Sequence, residues 1–165
     1  MSAENILQEV FRIASVRRED GVLQAQDARN AMRYQKIDAH SEVEIIGKGD
    51  VQDPGSSRPT YELKLNFVPD RVWIHIFSSL FPKSGTTYFV RTHGKILLVD
   101  ALPEGLAELK TIIDTNIDEA NAIFADFLNK VGEMADTTMV RERKEKEEKV
   151  ARENTAKKAF DDLEI

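Results

Sequence analysis

The sequence predicts an α+β fold: a four- to five-stranded antiparallel sheet flanked by N-terminal helices and a long C-terminal amphipathic helix. Apolar residues recur at helical spacing near the start of the 165-residue chain and again after residue 103, and they alternate at strand spacing between these regions. A densely charged segment follows. We therefore divide the chain into an α+β domain, residues 1–136, and a charged helical tail, residues 137–165.

The N-terminal region predicts two helices. Apolar residues share one face over residues 3–16, Ser2 is suited to cap the first turn, and Gly21 is suited to stop the helix. A second, weaker helix is predicted from about Leu23 to Lys36, with small residues on its apolar face.

The middle of the chain predicts the sheet, because apolar and polar residues alternate there. A hairpin joins the second and third strands through Pro69-Asp70-Arg71, and another joins the fourth and fifth through His93-Gly94. The stretch 47–59 is rich in Gly and Pro and predicts a mobile loop. The predicted strands span 42–47, 60–68, 72–78, 86–92 and 95–100.

A single apolar stripe continues from Leu106 to Met134 in steps of three and four residues, after a Pro103 suited to a first helical turn. The stripe is typical either of a helix packed across the sheet or of a coiled-coil seam between copies. The helix is continuous or breaks near residues 114–116, where Thr115 could cap a second helix. The candidate residues for contact with a partner or a second copy are Leu109, Ile113, Ile117, Phe124, Phe127 and Val131.

The tail differs in kind, since 16 of its 29 residues are charged. Four Glu residues precede a basic residue by four positions, which predicts a solvated helix supported by its own charge pairs: Glu142–Lys146, Glu145–Lys149, Glu148–Arg152 and Glu153–Lys157. The last residues are acidic with spaced hydrophobes. In composition this tip resembles the tails by which single-strand DNA-binding proteins recruit partners. Its candidate contact residues are Phe160, Asp161, Asp162 and Leu163.

Composition excludes several classes of protein. The net charge of −6 and the pI of about 5.2 exclude a generally basic nucleic-acid binder. The absence of cysteine excludes disulfides, zinc–thiolate sites and thiol catalysis. We find no apolar segment long enough to span a membrane and no secretory signal, so we expect a cytoplasmic protein without a cofactor.

Residues 54–101 are the one locally basic stretch, with 6 basic and 3 acidic residues, and they contain the only Trp. One side of the predicted sheet would combine cations with aromatic rings, as a base-stacking platform or a protein-binding groove requires. Alternatively, a helix covers this side and the rings form a second core layer. The candidate residues are Lys64, Asn66, Trp73, His75, Phe77, Phe89 and Arg91.

Catalytic signals are weak. The three histidines are His40, His75 and His93, and no nucleophile-elbow or metalloprotease motif accompanies them. A metal site formed by His75, His93 and Asp100 would lack the usual ligand spacing. We expect neither a catalytic residue nor a metal ligand, although an enzyme that uses His75 or His93 remains an alternative.

These features favour a non-catalytic binding or adaptor protein that contacts another protein or a second copy of itself. The profile suits a small accessory protein of a phage or mobile element. The alternative is a protein that binds single-stranded nucleic acid on the sheet and recruits partners through its acidic tip. The element order is also similar to the secretion-chaperone-like class of folds, which dimerise and hold partner segments. The predicted strands, however, leave no helix between them, where that class has one.

Overall fold

A computed structural model describes residues 2–13, 18–19, 22–23, 34, 37 and 41–164. Ser2 caps the first helix as predicted, since its Oγ accepts a hydrogen bond from the backbone N–H of Asn5 at 3.3 Å. The elements are α1 (Ala3–Ile13), β1 (Arg18–Glu19), β2 (Val22–Leu23), β3 (Ile45–Gln52), β4 (Thr60–Leu65), α2 (Arg71–Ser79), β5 (Phe89–His93), β6 (Ile96–Asp100), a 3₁₀ turn (Pro103–Gly105) and α3 (Leu106–Asp161).

The four longer strands form one antiparallel sheet in the order β3-β4-β6-β5, which confirms the predicted α+β class. The β5–β6 hairpin is also confirmed. Its turn includes Gly94, whose φ of +57° lies in the left-handed region that glycine adopts without a Cβ penalty. The short strands β1 and β2 pair with each other, and β2 contacts α3.

The prediction of a strand over 72–78 is wrong, because this segment is the helix α2. Asp70 caps it by accepting a hydrogen bond from the backbone N–H of Val72 at 2.8 Å. The predicted hairpin with residues 60–68 is therefore also wrong, and β4 lies between β3 and β6. This places a helix between β4 and β5, where the sequence pattern had predicted none. The helix buries Val72, Trp73, Ile76 and Phe77.

The first strand of the sheet lies further along the chain than predicted. β3 begins at Ile45 and continues to Gln52, through glycines that we had assigned to a loop. Two register shifts against β4, between Ile45 and Gly47 and between Lys48 and Val51, accommodate it. The loop is thus limited to residues 53–59.

After residue 105, α3 is one unbroken helix of 56 residues, about 84 Å long at 1.5 Å per residue. The predicted break near residues 114–116 does not occur. The hydroxyl of Thr115 donates to the backbone O of Thr111 at 3.0 Å within the helix instead of capping a new one. The predicted stripe is half-buried at Leu106 and buried from Leu109 to Met134. Burial continues at Ala135 and Thr138, whereas every described residue from Met139 onward is exposed.

The core lies between the helices and one face of the sheet. Phe127 of α3 is fully buried and forms edge-on ring contacts with Phe11 of α1 and with Tyr34, each with ring centroids 5.2 Å apart. The sheet contributes Leu65, Leu97 and Val99 to this core. The second predicted helix lies largely outside the described residues, and at its start Val22–Leu23 form a strand.

Candidate functional site

The opposite face of the sheet is open, and we call it the outer face. Its residues alternate along the strands with the buried Leu97 and Val99. Phe89 is 65% exposed, and Ile96 and Leu98 are half-buried. None of the helices in the described part of the chain packs on this face. Three residues from each of three strands form it: Thr60, Glu62 and Lys64 of β4; Ile96, Leu98 and Asp100 of β6; Phe89, Arg91 and His93 of β5.

Pairing across the strands arranges the outer face in three rows. Lys64, Ile96 and His93 form one row, and Glu62, Leu98 and Arg91 form the next. Thr60, Asp100 and Phe89 form the third row. Each aliphatic side chain of the central strand therefore has a charged or titratable neighbour on both sides.

The two carboxylates of this face are already engaged within the chain. Glu62 accepts hydrogen bonds from the backbone N–H of Asp50 at 3.1 Å and from Nε2 of Gln52 at 2.9 Å. The Asp50 bond is the main reason that the pKa of Glu62 is lowered, and the Gln52 bond lowers it further; desolvation opposes the shift, and the charge of Lys64 adds the smallest lowering effect. Asp100 accepts from the hydroxyl of Thr60 at 2.5 Å.

The two cations of the outer face differ from its carboxylates in their surroundings. Lys64 and Arg91 are exposed, and no ion pair found within the described ranges involves either of them. The formal charges of the four groups cancel. Since the carboxylates have hydrogen-bond donors of their own, the groups left to recognise a ligand are the cations and the apolar side chains.

A close backbone approach extends the outer face onto β3. A Cβ added at Gly49 would lie 2.6 Å from Oε2 and 2.8 Å from Cβ of Glu62. The Glu62 side chain therefore crosses directly over Gly49 to reach Asp50 and Gln52, and a larger residue at position 49 would displace it.

The structure does not bring all of the predicted face residues together. Lys64, Phe89 and Arg91 share the outer face, and His93 joins them. Asn66 instead bonds to the segment that precedes β3. Its side-chain amide donates to the backbone O of Glu42 at 2.8 Å and accepts from the N–H of Glu44 at 3.0 Å.

Trp73, His75 and Phe77 lie on α2 instead of the outer face, which corrects the strand-based assignment. Trp73 and Phe77 are each 1% exposed and stack at 5.0 Å. The Nε1 group of Trp73 donates to Oδ1 of Asn121 at 2.9 Å. His75 points to α1, where its Nε2 lies 3.6 Å from a carboxylate oxygen of Glu9. Trp73 and Phe77 thus belong to the same core as Leu97 and Val99 of the sheet, so the alternative of a second core layer on the outer side is not what forms either.

The predicted contact stripe of the long helix is also used within the chain. Its six residues face α1, α2 and β2, and each is at most 7% exposed. In this fold they are not available as a seam between copies. The residues are Leu109, Ile113, Ile117, Phe124, Phe127 and Val131.

A crevice opens beside Trp73, between α3 and the segment linking β4 to α2. Its volume is about 670 Å³. Phe67, Val68 and Phe124 provide apolar walls, and Asp70 and Arg71 lie at its polar side. This second concave surface was not predicted, because it depends on α2 being a helix.

The tail of α3 projects from the domain with its tip exposed. Phe160 is 73% and Leu163 is 60% exposed, and Asp161 and Asp162 are exposed beside them. Along the tail, Arg141 Nε lies 3.2 Å from a carboxylate oxygen of Glu145. The four predicted Glu-to-basic pairs all lie on this helix, but none of them is among the ion pairs found within the described residues.

Two of the three histidines can be placed, since His40 lies outside the described residues. His75 lies against α1 and His93 is exposed on the outer face.

In the described ranges, no group of three His, Asp or Glu side chains is arranged to hold a metal ion. None of the helices described above has both the length and the apolarity needed to cross a bilayer.

We compared the chain with family models, curated proteins and solved structures, and none of them matches it.

Proposed function

We propose that this chain is a non-catalytic binding protein that holds an acidic, apolar segment of a protein against the outer face of its sheet. The observation that carries the proposal is the open sheet face itself, where Phe89 is 65% exposed and lies diagonal to the half-buried Leu98, with the half-buried Ile96 two residues from Leu98 on β6. Contiguous exposed apolar surface bordered by polar groups is typical of interaction sites.

The charges of the outer face indicate the chemistry of the partner. Lys64 lies beside Ile96 and Arg91 beside Leu98, and neither cation forms an ion pair within the described residues, whereas Glu62 and Asp100 accept hydrogen bonds from within the chain. An incoming carboxylate would meet a cation, and Arg91 could bind it through two parallel hydrogen bonds. Apolar side chains of the same segment would cover Leu98 and Phe89.

Single-stranded nucleic acid is the second candidate, favoured by the presence of Phe89, Lys64 and Arg91 on one face. A base could stack on the Phe89 ring while the cations contact phosphates. The burial of Trp73 and Phe77 leaves Phe89 as the one Phe, Tyr or Trp ring of this face, which therefore lacks the series of rings on which successive bases stack. We therefore place this function second.

Site-specific photocross-linking in cells tests the proposal. A benzophenone amino acid replaces Phe89 in one protein, and Ile112, an exposed apolar residue of α3 that is 38% exposed, in the control. We expect cross-links from position 89 to map to an acidic, apolar protein segment and to disappear when Arg91→Glu is added. The substitution Arg141→Glu, in the tail, should leave them unchanged.

Two results would overturn the proposal. One is cross-linking at position 89 that is no stronger than at position 112, or that survives Arg91→Glu. The other is cross-linking to nucleic acid, which would support the second candidate in its place.

A further inference from the structure

We propose that the C-terminal tip of a second copy of this chain docks on the outer face, an inference that rests on the proposed function and names its occupant. The tip is residues 160–164. It complements the apolar side chains and exposed cations of the outer face, since Phe160 and Leu163 are exposed and Asp161, Asp162 and Glu164 are acidic.

The tip consists of the last residues of α3 and the turn that follows them. The helix ends at Asp161, and the N–H of Leu163 still bonds to the backbone O of Phe160 at 3.1 Å. In a turn closed by a hydrogen bond of this kind, side chains three residues apart eclipse one another. Phe160 and Leu163 therefore project together, with the acidic residues next to them.

The spacing of the outer face matches this pair. Ile96 and Leu98 are two residues apart on β6, which corresponds to about 7 Å along a strand. Neighbouring strands lie about 4.8 Å away, so that Lys64 and Arg91 flank the aliphatic pair on opposite sides. The two apolar side chains of the tip can cover β6 while its carboxylates meet the cations on β4 and β5.

The tip cannot reach the outer face of its own chain while α3 stays intact. From Thr138, the last buried residue of the helix, to Leu163 is 25 residues, about 37 Å at 1.5 Å per residue. Charge pairs spaced four residues apart support this exposed segment as a helix. The contact must therefore form between copies. It is either reciprocal, which closes a dimer, or one-directional, which builds an open chain.

Sedimentation velocity on full-length variants tests the inference. Three proteins are compared with the unmodified chain: Phe160→Asp with Leu163→Asp in the tip, Lys64→Glu with Arg91→Glu on the outer face, and Val150→Asp as a control at an exposed tail position, 47% exposed. We expect the unmodified chain and the control to associate as concentration rises. The tip and face variants should associate at least about tenfold more weakly, or 1.4 kcal/mol.

A charge exchange makes the test specific. A tip variant with Asp161→Lys and Asp162→Lys should associate weakly alone, but should bind the Lys64→Glu, Arg91→Glu variant when the two are mixed. An unmodified chain that stays monomeric at every concentration, or tip and face variants that associate as strongly as the control, would overturn the inference. In that event, cross-linking from position 89 to an acidic segment of a different protein would leave the proposed function standing. If no such cross-link formed, the proposed function would be overturned together with the inference.

Discussion

The side-chain amide of Asn121 pairs with both backbone polar groups of Val43, which lies 78 residues earlier in the chain. Its Oδ1 accepts from the N–H of Val43 at 3.0 Å, and its Nδ2 donates to the backbone O of Val43 at 3.0 Å. The same oxygen accepts from Nε1 of Trp73 at 2.9 Å. One side chain of α3 thus joins the segment before β3 to α2.

Replacing Asn121 with alanine should destabilise the fold by about 2–4 kcal/mol, because it leaves polar groups of Val43 and Trp73 without partners in a partly buried site. Urea denaturation measures this change. Asn129→Ala, at an exposed position on the same helix, should change stability by less than about 0.5 kcal/mol. Equal effects of the two substitutions would contradict this role of Asn121.

Phe127 should be among the most costly core residues to truncate. It is fully buried and contacts the rings of Phe11, Tyr34 and Phe124. We expect Phe127→Ala to cost about 3–5 kcal/mol. Phe160→Ala, in the exposed tip, is the matched control and is measured on dilute protein. A comparable loss of stability from Phe160→Ala would show that the tip packs against the domain.

The emission of Trp73, the only tryptophan, should be blue-shifted and resistant to quenching by iodide, since its side chain is 1% exposed. Adding short single-stranded DNA at low salt should leave it unchanged. Quenching by DNA that salt reverses would instead place Trp73 at a nucleic-acid contact.

Glu62 should make stability depend on pH in a defined direction. Hydrogen bonds, chiefly from Asp50, hold its pKa below the ordinary value of 4.5 in the folded chain. Its contribution to the free energy of unfolding is therefore present above the unfolded-state pKa and is lost as pH falls through the folded-state pKa. The Tm of Glu62→Gln should lie below that of the unmodified chain at pH 7, and the gap should close in strong acid. A gap that persists there would contradict this assignment.

The exposed part of α3 should contribute helix but little stability to the domain. Removing residues 140–165 deletes only exposed residues among those described. In dilute protein, where copies do not associate, we expect circular dichroism to lose a corresponding share of its helical signal while the urea midpoint stays within experimental error. A large drop in the midpoint would mean that the tail packs on the domain.

Much of the fold could be predicted because its elements carry clear periodicity. The step pattern from Leu109 to Met134 identified the buried face of α3, and the alternation around Leu63 identified β4. The acidic tip also stands out from composition, which requires no tertiary information.

The segment 72–78 could not be assigned in this way, since apolar residues occupy both of its faces and short runs of this kind fit a strand or a helix equally well. The N-cap Asp70 was the available signal, and it was assigned to a turn. This error moved Trp73 and Phe77 to the outer face. Lys64, Phe89 and Arg91 were grouped together through alternation, although their true neighbours on β6 depend on strand order, which periodicity does not contain.

Both proposals depend on the outer face being open, and hydroxyl-radical footprinting of the dilute monomer measures this most directly. The oxidation rates of Phe89 and Phe77 are measured in the same protein. The rate of each residue in the unfolded chain serves as its reference. We predict rapid oxidation of Phe89, which is 65% exposed, and strong protection of Phe77, which is 1% exposed. Protection of Phe89 equal to that of Phe77 would show that the face is covered and would contradict the account.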